Sequence, residues 1–142
     1  MIRPATLDDT QVIKELFQEL IGHQLSDDDV INRITFVQKS PIDSLFVYEL
    51  DKKIIGLLAF RIRENIEENS RFGEISVIVV KSESRKIGIG KKLMEYAEQL
   101  ANEKGCIGTW LVSGFGREEK AHPFYKELGY KTTGYRFVKY FG

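Results

Sequence analysis

Five cations fall within twelve residues: Lys81, Arg85, Lys86, Lys91 and Lys92, with Glu83 the one acid among them. Around Ile87-Gly88-Ile89-Gly90 an apolar run ending at Val80 gives way to a helix-periodic stretch. The pattern is a strand, a loop and a glycine-rich helix start. The first N–H groups of a helix have no intrahelical acceptor and carry partial positive charge. Glycine lets a bulky anion approach them closely. In a chain whose 21 basic and 21 acidic residues cancel, such a local excess points to a ligand carrying phosphate. The plain alternative is a helix start with a solvated basic face.

The phosphate ligand is not a nucleotide held in a Walker loop, because no G-x-x-x-x-G-K-[ST] occurs. Nor is it a dinucleotide in the usual fingerprint, because Leu93 stands where the third glycine belongs. Two further stretches bear groups able to move protons. Ala121-His122-Pro123-Phe124-Tyr125 places a phenol and an imidazole on a short helix, and Glu74 opens the strand that ends at Val80. Packing beside Phe124 and Leu128 would equally explain Tyr125, and an exposed strand-end carboxylate would equally explain Glu74.

Together these motifs resemble the GNAT superfamily of N-acetyltransferases. Arg85-Lys86-Ile87-Gly88-Ile89-Gly90 matches its [QR]-x-x-G-x-[GA], five residues past Val80. Ala121-His122-Pro123-Phe124-Tyr125-Lys126-Glu127-Leu128-Gly129-Tyr130 matches A-x-x-F-Y-x-x-x-G-[FY]. Two departures stand out. Lys81-Ser82-Glu83 replaces a frequent proline, and Glu118, after Arg117, replaces a frequent CoA-contacting asparagine. Within the family, Gly73-Glu74-Ile75, Arg117, Ala121-His122, Phe124-Tyr125 and Gly134-Tyr135-Arg136-Phe137 are similar to aminoalkylphosphonate and other small-amine acetyltransferases.

The resemblance implies an α/β fold with a mixed, mostly antiparallel sheet, helices on both faces, and a splay between strands four and five. It implies acetyl-CoA as cosubstrate. Backbone groups of Ile78, Val79 and Val80 would meet the pantetheine arm, as a peptide adds to a sheet edge. Arg85, Lys86, Ile87, Gly88, Ile89, Gly90 and Lys91 would hold the pyrophosphate. Tyr125 would stand near the thioester sulfur.

The reaction sets the remaining demands. An alkylammonium has a pKa of about 10.4, so the amine must shed a proton before it attacks the acetyl carbonyl. The tetrahedral oxyanion needs a donor, for which an N–H near Ile78 or Val79 serves. The departing thiolate needs a proton, and a phenol with a pKa of about 10 can supply it. Tyr125 is therefore the candidate acid and Glu74 the candidate base, with ordered water as the alternative base. Strand alternation alone puts Glu74, Ser76, Ile78 and Val80 on one face, unless a bulge changes the parity. His122 is a second base, a substrate contact or a surface residue. Cys106 and Trp110 read as core, and no residue is assigned to a metal.

The acceptor reads as a small-molecule primary amine. The acids Glu64, Glu67, Glu68 and 27–29 would draw a cationic one; Arg61, Arg63 and Arg71 would select one bearing phosphate or phosphonate. A protein N-terminus and a non-catalytic CoA-binding module are the competing readings. Net charge of zero gives nucleic-acid binding no support.

The elements that must position these groups follow from periodicity. Ile2 to Ala5 is a first strand, and Ile13, Leu16, Phe17, Leu20 and Ile21 form a helical stripe closed by Gly22. Ser26 starts a second helix with Val30, Ile31, Ile34 and Val37, stopped at Ser40-Pro41. Strands follow at 45–50, 54–62 and 72–80, the last read as buried on both faces. A long helix over 88–104, a buried strand over 107–112, a short helix before Gly129 and a final strand over 135–141 complete the order β-α-α-β-β-β-α-β-α-β. With 142 residues, 42% hydrophobic and 30% charged, this is one globular domain spanning 1–142. The single cysteine fits a reducing cytoplasm, and no apolar run approaches a membrane span. The resemblance also implies a homodimer, with the C-terminal strand as its contact.

Overall fold

The computed structural model describes residues 1–85, 87–113 and 121–142. Its elements are β1 (Ile2–Pro4), α1 (Thr10–Ile21), α2 (Asp27–Lys39), β2 (Asp43–Leu50), β3 (Lys53–Glu64), β4 (Arg71–Val80), α3 (Ile89–Glu103), β5 (Thr109–Trp110) and α4 (His122–Glu127). The sheet runs β1-β2-β3-β4-β5, antiparallel except for the parallel pair β4 and β5. This is the mixed α/β sheet expected.

Local chemistry accounts for the element ends. Ser26 Oγ accepts the Asp29 N–H at 3.1 Å and caps α2. Ahead of α1, the Asp9 carboxylate accepts the Thr6 N–H at 2.9 Å and is gripped by both terminal nitrogens of Arg3, each at 2.9 Å. Arg3 also reaches Glu49 on β2, so one guanidinium ties β1, β2 and the entry to α1 together. That grip holds the Asp9 carboxyl below the usual carboxylate range, burial opposing it in part. Asp51 and Lys52, both at positive φ, make the tight turn from β2 to β3.

Each face of the sheet has its own core. On one, α1 and α2 bury Ile13, Leu16, Val30 and Ile34 against Val47, Leu57 and Val79. On the other, α3 buries Leu93, Met94, Ala97 and Ala101 against Leu58, Phe60 and Ile75. Among the described residues no helix is long and apolar enough to cross a membrane.

Two expected strands differ. The one expected over 107–112 is a strand only at Thr109 and Trp110, though the Ile107 N–H also donates to the Arg71 carbonyl of β4, and Ile107 and Val112 are 61% and 52% exposed rather than buried. It is the last strand of the sheet among the described residues. The strand expected over 135–141 does not form within the protomer. Residues 131–142 carry no helix or strand and are exposed throughout. Burial of β4 on both faces also holds only in part, since Ser76 is exposed.

Candidate active site

The site begins where β4 changes parity. Ala59 of β3 lies opposite Val77, and Phe60 lies opposite Ile75, which leaves Ser76 as an extra residue. Such a bulge turns every later side chain over. Before it, Ile75 packs into the α3 core, and the Cα of Gly73 faces Phe60 and Ala101. After it, Ile78 and Val80 pack against the α3 core, while Val77 and Val79 go to the α1/α2 core. Glu74 therefore does not share a face with Ile78 and Val80, as plain alternation predicts. It lies on the α1/α2 face with Arg63. The visible signal was Ser76 itself, a lone polar residue inside an apolar run.

The same stretch is where β5 departs. Gly73 N–H donates to the Gly108 carbonyl at 3.0 Å, and strand pairing stops at Glu74 opposite Trp110. From there to Val80 the β4 edge that faces away from β3 has no strand beside it among the described residues. The gap is a cleft of about 200 Å³ lined by 75–78 of β4, 111–113, Leu20 at the end of α1, and Tyr125. Ser113 Oγ lies buried in its wall with no hydrogen-bond partner among the described residues. A buried hydroxyl without a partner is costly, and a polar ligand in the cleft would relieve it. Neither Leu20 nor Ser113 was singled out by the sequence, since no local pattern says which distant loop borders a gap.

Two tyrosines approach from the α3 face, and their surroundings separate them. The rings of Tyr125 and Tyr130 are 6.3 Å apart. Tyr130 donates to Glu98 at 2.8 Å, so Thr109, 2.6 Å away, must donate to it. Burial pushes the Tyr130 phenol well above its ordinary pKa. It is a strut joining α3, α4 and β5. Tyr125 packs edge-on against Phe124 and lines the cleft. Pro123 sits in the first turn of α4, as its missing N–H requires.

Across the sheet, the Ser76 hydroxyl donates to Glu74 at 3.1 Å, linking the carboxylate to the cleft wall. Arg63 Nε meets the other Glu74 oxygen at 3.3 Å, and its guanidinium lies 5.6 Å over the Trp110 ring. Trp110 is thus half-buried under a cation rather than simply core. All three arginines considered for an anionic substrate have carboxylate partners: Arg61 with Asp43 at 2.8 Å, Arg63 with Glu74, and Arg71 with Glu64 at 3.0 Å. Burial raises the Cys106 thiol, which suits a packing role better than a nucleophile.

At the far end of the cleft α3 begins. Gly88 has φ of +85°, and a Cβ there would meet nothing within 4 Å. The left-handed turn and the open space leave the first N–H groups of α3 approachable. Arg85 is drawn back: Nε donates to the Val80 carbonyl at 3.1 Å, and a terminal nitrogen meets Glu19 of α1 at 2.6 Å. Ile87, Ile89, Gly90 and Lys91 lie with it at the helix tip. Lys86, Arg117 and Glu118 fall outside the described residues. A strand edge left open among the described residues and a glycine-loosened helix tip fit a long thioester ending in a diphosphate.

Comparison with known proteins points the same way. Residues 10–130 match the family model for the acetyltransferase (GNAT) family. An aminoalkylphosphonate N-acetyltransferase of Salmonella typhimurium is 30% identical over 141 residues, covering 97% of this chain and 89% of that protein. A GNAT family acetyltransferase of Staphylococcus aureus superposes with a TM-score of 0.83 at 24% identity, over 99% of this chain and 98% of the other. An aminoglycoside N-acetyltransferase solved in complex with CoA superposes with a TM-score of 0.83 at 20% identity, over 100% and 93%.

Proposed function

The chain belongs to the GNAT acetyltransferase family and is an N-acetyltransferase, and from that premise we propose that it transfers the acetyl group of acetyl-CoA directly to the primary amine of a small molecule. The observation that carries this reading is the parting of β4 and β5 beside Tyr125, which leaves a slot with one wall of strand edge unpaired among the described residues. Pantetheine added along 78–80 would direct the diphosphate to the tip of α3, where Arg85 and 87–91 lie, and Lys86 would join them there. The amine enters from the Glu74 face. Its proton passes to Glu74 directly, or through the Ser76 hydroxyl or water. The lone pair attacks the acetyl carbon, and an N–H near Ile78 or Val79 holds the oxyanion. Collapse breaks the C–S bond, and Tyr125 gives its proton to the thiolate.

The acceptor class follows from the charges at that mouth. Glu74 attracts an ammonium. Arg63 engages Glu74 through Nε and is half exposed, so its terminal nitrogens offer an anion a two-pronged donor. An aminoalkylphosphonate, the class named for the Salmonella relative, supplies both charges. Thiol release from acetyl-CoA should be measured with aminophosphonates, polyamines, aminoglycosides and peptides. Turnover restricted to the amines bearing an anion is expected. Tyr125→Phe should then lower kcat by about 100- to 10,000-fold with CoA affinity unchanged. A variant as fast as the parent removes Tyr125 from the chemistry, and turnover of amines that carry no anion would overturn the acceptor class.

A further inference from the structure

Two cations of the basic segment are engaged by α1. Glu15 and Glu19 stand one helical turn apart on that helix. Lys81 and Arg85 flank the short 3-10 turn at Ser82–Ser84, between β4 and α3. Lys81 Nζ lies 3.8 Å from Glu15, and a terminal nitrogen of Arg85 lies 2.6 Å from Glu19. α1 packs on one face of the sheet and α3 on the other. Glu19 therefore draws the Arg85 guanidinium toward the face opposite the α3 tip.

The second anchor of Arg85 lies on β4 itself. The Lys81 N–H donates to the Ile55 carbonyl of β3 at 2.8 Å, so alternation turns the N–H and carbonyl of Val80 toward the other edge of β4. That is the edge left without a strand beyond Glu74 among the described residues. Arg85 Nε donates to this Val80 carbonyl at 3.1 Å. The guanidinium thus lies across the end of the edge along which pantetheine is proposed to add. A carbonyl pins it on one side and a carboxylate on the other.

We infer that Glu19 is a positioning residue that latches Arg85 over the end of the β4 edge, so that acetyl-CoA seats only as the guanidinium moves from Val80 to the diphosphate. The exchange replaces each contact it breaks. Arg85 gives up a carboxylate and gains phosphate oxygens, which suit its planar fork equally well. The Val80 carbonyl gives up Nε and gains an amide N–H of the pantetheine arm. Glu19 is partly exposed and returns to water. A ligand with the arm but no diphosphate must displace Arg85 and offers it nothing in return. The side chains of Arg85 and Glu19 are 53% and 36% exposed, so the latch costs affinity a few-fold and not by orders of magnitude. It rests on the acetyl-CoA reading above and needs no particular acceptor.

The test is binding to the full chain. Alanine is a good helix former, so Glu19→Ala should keep the parent's dichroism, and calorimetry should show CoA bound about 2- to 5-fold more tightly. Loss of one acid near a polyanion also tightens binding through space, so pantetheine, which carries no charge, is the second probe. Its Kd, read by ligand-observed NMR, should fall by a similar factor in Glu19→Ala and in Arg85→Ala. Adding Glu19→Ala to Arg85→Ala should lower it no further, because the latch is already gone. CoA held equally or more weakly by Glu19→Ala would overturn the latch. So would a pantetheine Kd that falls in neither single variant, or one that the two substitutions lower independently. A parent that gives no heat with CoA would refute the acetyl-CoA reading and the latch with it.

Discussion

Gly73→Ala tests the packing on which the cleft depends. Gly73 does not have a positive φ, so alanine suits its backbone. In open space the change would stabilise by about 0.4–1 kcal/mol, because the unfolded chain loses freedom. The space is not open. A Cβ there would stand 2.5 Å from Phe60 Cε2, 2.7 Å from Cζ and 3.0 Å from the Ala101 Cβ. Phe60 is 2% exposed and belongs to the core under α3, so its ring has no solvent side to swing into. Overpacking of this kind costs about 1–3 kcal/mol and outweighs the entropic gain. The net loss should be about 1–2 kcal/mol, or roughly 3–8 °C in Tm for a chain this long. Urea titrations followed by dichroism should show a lower midpoint with an unchanged slope. Adding Phe60→Leu removes the offending ring atoms, so the pair should be coupled by more than about 0.5 kcal/mol in the relieving direction. A Gly73→Ala protein as stable as its parent would refute the reasoning, since it would mean that β4 and α3 can part freely.

Gly88→Ala should act differently, because its Cβ meets nothing and the cost is conformational, about 1–2 kcal/mol at φ +85°. Calorimetry should show CoA binding weakened about tenfold, and an unchanged Kd would detach the α3 tip from the diphosphate. Acid stability is a third test. Asp9 is held below its ordinary pKa mainly by Arg3, so its contribution is complete above the unfolded value of about 3.9 and is lost as pH falls through the lower folded value. Urea midpoints should hold from pH 7 to about 5 and fall below about 4, with a shallower fall in Arg3→Met; equal slopes in both proteins would dissociate Asp9 from acid unfolding.

Much of this protein was legible from spacing within short windows. The stripes of α1 and α2, the extent of α3 and the Ser26 cap are consequences of local sterics and capping, which a stretch of a dozen residues carries within itself. The two motifs likewise revealed the family, because the glycines at 88 and 90 and the aromatics at 124 and 125 lie in contiguous runs. Only the tertiary structure decided which face Glu74 occupies, because a single unpaired residue at Ser76 inverts the strand and is defined by β3 across from it. It also brought Leu20, Ser113 and Glu19 to the site from distant segments, and left 135–141 outside the protomer's sheet. Pairing of strand edges depends on which other edge is free. That is a property of the assembled sheet, and no window along the chain contains it.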